Sequence, residues 1–268
     1  MIYKRVYFTP ENTSAYLDTY AVPSKETAPK DAILVVPGGG YGHVCSDREG
    51  ESIAIAYNAK GLSAFVLKYT VPPKSKDEPL FEIARAFEYI KRNAAAYLIN
   101  PDRIFVIGFS AGAHLVGTLS TKYRKAEDCL GLSENFLRPC GTVYCYPVVT
   151  AMCETHKGSY ENLLGKPFEE ISDEERREYS NELLVSENTP PAFIWHTAND
   201  SSVPVYGSLR LAESYARAGV PAELHIYPKG PHGMALALEH TSAGREDFID
   251  ERISRWLSDS VEWMKTVS

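Results

Sequence analysis

The segment Gly108-Phe109-Ser110-Ala111-Gly112 sets a serine between small residues, directly after the apolar run 103–107 and before a stretch of helical period. A serine at such a strand-turn-helix junction stands at the C-terminal edge of a sheet, where its hydroxyl can act as a nucleophile. The helix behind it aims unpaired N–H groups at the same point, and these can receive negative charge. The bare pattern G-x-S-x-G also describes an idle glycine-rich turn. The strand before it and the helix after it favour the chemical reading.

Attack on a carbonyl needs a base, an acid to orient that base, and donors for the oxyanion. Upstream, Val35-Val36-Pro37-Gly38-Gly39-Gly40-Tyr41-Gly42 closes another apolar run. The amides of Gly39 or Gly40, together with that of Ala111, can meet an oxyanion because no side chain blocks the approach. A glycine run can also cradle a phosphate, but no Gly-Lys-Ser/Thr follows and the dinucleotide-binding spacing is missing. Among seven histidines, His232 lies in the loop after the last apolar run, 222–227, and is the candidate base. His225 lies inside that run and reads as a packed or surface residue, while His114, one turn after Ser110, reads as a helix residue bonded near the serine.

Asp200 is the only carboxylate in the loop 198–204, which follows the run 192–197. An aspartate there could merely cap the next helix. The chain order Ser110, Asp200, His232 favours its reading as the acid that holds the base. Tyr41, His43 and Trp195 fall near the expected mouth and could bond to or stack on a substrate, although each could equally be loop or core packing.

The elements that must position these groups alternate along the chain. Short β-branched or aromatic runs at 5–8, 15–21, 33–37, 63–68, 103–108, 142–146, 192–197 and 222–227 read as strands. Segments at 49–60, 79–97, 111–123, 205–218 and 247–265 have helical period. Such alternation predicts an α/β fold, a mostly parallel sheet with helices on both faces. The first two strands have only a short connection and should form an antiparallel edge. In the final helix Ile249, Ile253, Trp256, Leu257, Val261 and Met264 make one stripe facing the sheet. Residues 150–190 break the pattern with the acidic run 169–175, which reads as a solvated surface helix; its place between two core strands also suits a small lid.

With 28 Lys and Arg against 35 Asp and Glu, the net charge is −7 and is spread along 268 residues. That argues against nucleic acid or an anionic membrane as partner. Five cysteines, an odd number without a Cys-x-x-Cys pair, argue against a disulfide scaffold or zinc site. No signal core or membrane-length apolar stretch is evident, so a single catalytic domain spanning 1–268, located in the cytoplasm, is expected. The oligomeric state is left open.

The glycine loop with Tyr41, the stretch Gly108 to Leu115, the run Trp195-His196-Thr197-Ala198-Asn199-Asp200 through Val203-Pro204, and Gly230-Pro231-His232-Gly233 together resemble the esterase/lipase family that includes bacterial acetyl-xylan and feruloyl esterases, the BD-FAE group. In lipases and esterases the glycine loop often begins with His, and here it begins with Pro37. The resemblance implies an α/β-hydrolase fold with an eight-stranded sheet, and hydrolysis of carboxylic esters without metal or cofactor, often on plant polysaccharide fragments. Two other readings stand beside it. A prolyl-oligopeptidase-like peptidase shares the topology but usually carries a large gating domain, for which these residues leave no room. A silent binding module of the same fold is disfavoured because every expected catalytic position holds the expected residue type.

Overall fold

The computed structural model describes residues 1–8, 13–23 and 28–267. Eight strands form one sheet: β1 (Ile2–Tyr7), β2 (Tyr16–Ala21), β3 (Lys30–Val36), β4 (Ser63–Lys68), β5 (Ile99–Phe109), β6 (Thr142–Cys145), β7 (Ala192–Thr197) and β8 (Ala222–Tyr227). Their spatial order is β1-β2-β4-β3-β5-β6-β7-β8. The β1–β2 and β2–β4 pairs are antiparallel, and the remaining pairs are parallel. The antiparallel edge therefore sits where the short first connection places it.

Between the strands run α1 (Ser52–Ala59), entered through a π-turn at Asp47–Glu51, then α2 (Glu78–Arg92), α3 (Ala94–Tyr97) and α4 (Ala111–Leu130). Beyond β6 come α5 (Lys157–Leu164), α6 (Asp173–Glu178), α7 (Tyr206–Arg217) and α8 (Trp256–Thr266). Strand side chains alternate between faces, so Leu34 and Val36 of β3 join one core with Ile83 and Phe87 of α2 and Leu119 of α4, whereas Ile33 and Val35 join the other with Tyr57 of α1 and Trp263 of α8. Central strands covered on both faces read as continuous apolar runs, which is why they were legible.

Three helices depart from the periodicity. The segment 79–97 is broken at Asn93, whose side-chain amide donates to the Tyr89 carbonyl at 2.7 Å and ends α2. α4 runs past Tyr123 to Leu130, with non-helical dihedrals at Lys122, and stops at Gly131. The final helix does not begin at Asp247. Asp250 Oδ1 accepts from the amides of Arg252 and Ile253 at 2.8 and 2.9 Å in a turn, a single 3-10 turn follows at Ile253–Arg255, and α8 starts only at Trp256; Ile249 is exposed, while Ile253, Trp256, Val261 and Met264 are buried.

The acidic run lies on the short helix α6 and its approach. Ser172 and Glu175 form a capping box there, and Lys166 and Lys157 pair with Glu175 and Glu169. Among the described residues no helix is long and apolar enough to cross a membrane.

Candidate active site

Ser110 joins β5 to α4 at φ 53° and ψ −118°, a conformation that L-residues seldom adopt. Its neighbours hold it there: the Ser110 amide donates to Cys145 O at 3.0 Å, and Ser110 O accepts from the amides of Ala113, His114 and Val148. The flanking glycines are required by close approach. A Cβ on Gly112 would stand 2.2 Å from Val36 O, and one on Gly108 would stand 2.3 Å from Gly112 O. With both positions bare, α4 can abut the end of β3 and its first turn can point at the serine.

Ser110 Oγ lies 2.8 Å from His232 Nε2, and His232 Nδ1 lies 2.6 Å from Asp200 Oδ2. Three loops at the C-terminal ends of β5, β7 and β8 thus bring together the residues singled out as nucleophile, acid and base. The β8 loop is tied to the end of β7: Thr197 Oγ1 donates to Gly230 O at 2.7 Å, and the Gly230 amide donates to Asn199 Oδ1 at 2.8 Å. Asp200 does not cap α7, whose N-terminus has no side-chain cap. Its Oδ1 accepts instead from the Ser202 and Val203 amides, both at 2.9 Å. Burial alone would raise this carboxyl, but hydrogen bonds from His196, His232 and the Val203 amide outweigh it and hold the group well below the usual range.

The glycine loop passes beside the serine. Gly39, at φ 125°, has no room for a Cβ, which would meet His43 O at 2.2 Å. The amides of Gly39, Gly40 and Ala111 have no acceptor among the described residues. The loop is fixed from behind by Glu49, a buried carboxylate: its Oε2 accepts from the Gly38 amide at 2.8 Å, and its Oε1 accepts from Tyr146 Oη at 2.7 Å. The Tyr146 ring packs edge-on against His232 with centroids 5.0 Å apart. One carboxylate therefore braces both the candidate oxyanion loop and the wall behind the base.

Two residues expected at the mouth lie elsewhere. Trp195 is fully buried, stacked on Trp256 at 5.5 Å and edge-on to Tyr146, because it alternates toward the α1/α8 face of the sheet. Tyr41 is also buried; its hydroxyl meets His114 Nδ1 at 2.8 Å and its ring packs on Tyr69. His114 Nε2 faces the Tyr179 carbonyl at 2.8 Å and so carries the proton, which makes the Tyr41 hydroxyl the donor to Nδ1. Neither Tyr41 nor Trp195 can touch a substrate. His43 does line the pocket, and its Nε2 lies 3.4 Å from Cys45 Sγ. His225 pairs with Glu223 on the far strand, away from the serine.

Sequence reasoning missed four contributors besides Tyr146. His196 and Glu49 lie inside a strand and a helical turn and touch the site from beneath. His156 and Asn162 come from the segment 150–190, and Asn162 Nδ2 donates to Gly40 O at 2.8 Å. The pocket over Ser110 has a volume of about 370 Å³. Glycine backbone and polar side chains make its walls, and among the described residues no aliphatic side chain lines it.

The BD-FAE family model matches residues 17–215. The chain belongs to the BD-FAE family. Its relatives include an endo-1,4-beta-xylanase B of Butyrivibrio fibrisolvens, 36% identical over 90% of this chain and 37% of that protein. An acetylxylan esterase of Xylanibacter ruminicola is 34% identical over 84% of this chain and 45% of that protein. The chain thus spans less than half the length of these two curated relatives. Among solved structures, the acetyl ester-xyloside bifunctional hydrolase of Caldicellulosiruptor lactoaceticus superposes with a TM-score of 0.82 at 32% identity, covering 98% of this chain and 96% of that one. The BD-FAE chain has the α/β-hydrolase fold that the resemblance implied.

Proposed function

We propose that this chain is a serine esterase that removes short acyl groups, acetyl above all, from carbohydrate. The observation that carries the reading is the line from Ser110 Oγ through His232 to Asp200, at 2.8 and 2.6 Å, beside amides that have no acceptor among the described residues. His232 Nε2 takes the serine proton as Oγ attacks the ester carbonyl, and the amides of Gly39, Gly40 and Ala111 receive the charge on the carbonyl oxygen. His232 then gives its proton to the leaving alcohol. The same imidazole activates water, which releases the acid from the acyl-enzyme. Asp200, ionised at neutral pH, accepts from Nδ1–H, fixes the tautomer and stabilises the imidazolium.

The preference for short acyl groups is supported by the pocket. Long acyl chains need an extended apolar channel, and this cavity holds about 370 Å³ with no aliphatic side chain in its wall among the described residues. From the segment 150–190, His156 and Asn162 line the pocket and add hydrogen-bonding groups suited to sugar hydroxyls. The names of the relatives, an acetylxylan esterase and a xylanase, support carbohydrate as the alcohol part.

A fluorophosphonate probe should label Ser110 and no other serine, and His232→Ala should abolish labelling. In an acyl series on one alcohol, acetyl should be turned over fastest, with a steep fall by hexanoyl. A maximum at octanoyl or longer, without acetate release from acetylated xylo-oligosaccharides, would defeat the substrate assignment and leave the nucleophile assignment standing.

A further inference from the structure

The pocket over Ser110 holds one strong cation that the esterase chemistry leaves unused. Arg48 projects from the Asp47–Glu51 turn into the same cavity as Ser110 and His232. Among the described residues no carboxylate lies within ion-pair distance of it. Its one hydrogen bond, from Nη1 to Thr241 O, is stretched to 3.5 Å, and its guanidinium carbon lies 5.2 Å from the Phe248 ring centre. The adjacent Glu49 makes no ion pair with it; the Glu49 oxygens accept from the Gly38 amide and Tyr146 Oη. A guanidinium has five N–H donors in a planar fork that fits a carboxylate. Among the described residues, Thr241 O is the one acceptor for these donors at Arg48.

The position of the fork tells which half of an ester it would meet. Arg48 Nη2 lies 3.4 Å from the point where a Cβ on Gly233 would stand, and Gly233 directly follows His232. His232 hands its proton to the departing oxygen, so groups beside it flank the alcohol part, while the glycine loop flanks the carbonyl oxygen. The missing side chain at 233 leaves the guanidinium open from that side.

We infer that Arg48 is a specificity-determining residue that holds a carboxylate on the alcohol part of the ester, so that acylated sugars bearing a uronic acid are preferred over neutral ones. This rests on the esterase reading above for the reaction, but the binding itself does not require turnover. A carboxylate is the chemistry a bidentate fork selects, and on a sugar it takes the form of a uronic acid. The neighbouring His43, His156 and Asn162 supply donors for the sugar hydroxyls around it.

The test compares acetylated xylo-oligosaccharides of equal length with and without one glucuronic acid branch, in the intact protein and in Arg48→Gln and Arg48→Lys. The quantity read is the acidic-to-neutral ratio of kcat/KM within each protein. It should be about tenfold or more in the natural protein, the scale of a charge-assisted hydrogen-bonded pair. It should fall to near one in Arg48→Gln and lie between in Arg48→Lys, whose charge remains but whose fork is lost. A ratio of one or less in the natural protein, or an undiminished ratio in a folded Arg48→Gln, overturns the inference.

If acetate is released from neither sugar nor from 4-nitrophenyl acetate, the esterase reading fails. Calorimetry then decides the inference alone, using the deacetylated acidic and neutral oligosaccharides as probes. Tighter binding of the acidic sugar, lost in Arg48→Gln, sustains it; equal binding refutes it.

Discussion

His196 Nε2 lies 3.1 Å from Asp200 Oδ2, the same carboxylate oxygen that His232 Nδ1 reaches at 2.6 Å. His196 is fully buried, and its Nε2 also faces the Val203 carbonyl at 3.1 Å, so that nitrogen carries the proton and Nδ1 accepts from Ser208 Oγ at 2.8 Å. Burial lowers its pKa, which keeps it a neutral donor at working pH. His196→Phe fills much of the same volume without the donor. Asp200 then loses one of the donors that hold its Oδ2 in place. Looser placement of the carboxylate should lower kcat about tenfold, part of the ~1.5–3 kcal/mol of a hydrogen bond to a charged group, with KM little changed. Steady-state kinetics of the variant check this; a normal kcat would leave His196 a packing residue.

Two substitutions at Ser110 should separate chemistry from strain. Ser110→Ala removes the proposed nucleophile but keeps a Cβ at φ 53°, so turnover should vanish with the melting temperature almost unchanged. Ser110→Gly also abolishes turnover but relieves the backbone, and should raise stability by about 1 kcal/mol, within the ~1–3 kcal/mol cost of such a conformation after the entropy of glycine is subtracted. Urea unfolding of both variants tests this ordering. Equal stabilities would mean that the elbow stores no strain.

Asp200→Asn should cut the rate by about 10⁴-fold, the scale for a triad whose base is left in the wrong tautomer. Its stability effect should depend on pH. The folded-state pKa is held below the ordinary 3.8, so the ionised carboxylate contributes stability that is fully present above 3.8 and is lost as pH falls toward the depressed value. The gap in melting temperature between the natural protein and the variant should therefore be widest near neutrality and narrow below about pH 4. A gap independent of pH would show that Asp200 gains nothing from its ionised form.

The sheet and the convergence of Ser110, Asp200 and His232 were legible because both follow from local patterns. Buried parallel strands give unbroken apolar runs, and a serine elbow followed by two polar strand-end loops has few alternative arrangements. Which way a side chain points from a strand was not legible. Trp195 and His196 are neighbours on β7, yet Trp195 enters the aromatic core around Trp256 and His196 turns to Asp200. Alternation required them to part but did not say which faced the site. A histidine inside the otherwise apolar run 192–197, four residues before Asp200, was the available signal. His156 and Asn162 gave none, since they reach Gly40 only through the path of the segment 150–190 across the sheet edge.

The last prediction concerns His114, which sits under the elbow and is not exposed to substrate. Burial lowers its pKa from 6.5 to about 4, with the bond to the Tyr179 carbonyl acting the other way. In the unfolded chain the imidazole binds a proton below pH 6.5, whereas the folded protein refuses it until about pH 4. Protons therefore favour the unfolded state across that window, and stability should decline as pH falls through it, by about 3 kcal/mol if His114 acted alone. His114→Gln removes the titration while its amide can still donate to Tyr179 O. The variant should be less stable near neutrality, because Tyr41 Oη loses its acceptor at 2.8 Å and a buried hydroxyl left unmatched costs about 1–3 kcal/mol. Its stability should nevertheless be flatter between pH 6.5 and 4, so the two curves converge on acidification. Chemical unfolding at half-unit steps of pH measures this directly. Parallel curves would mean that His114 does not set the acid sensitivity of the fold.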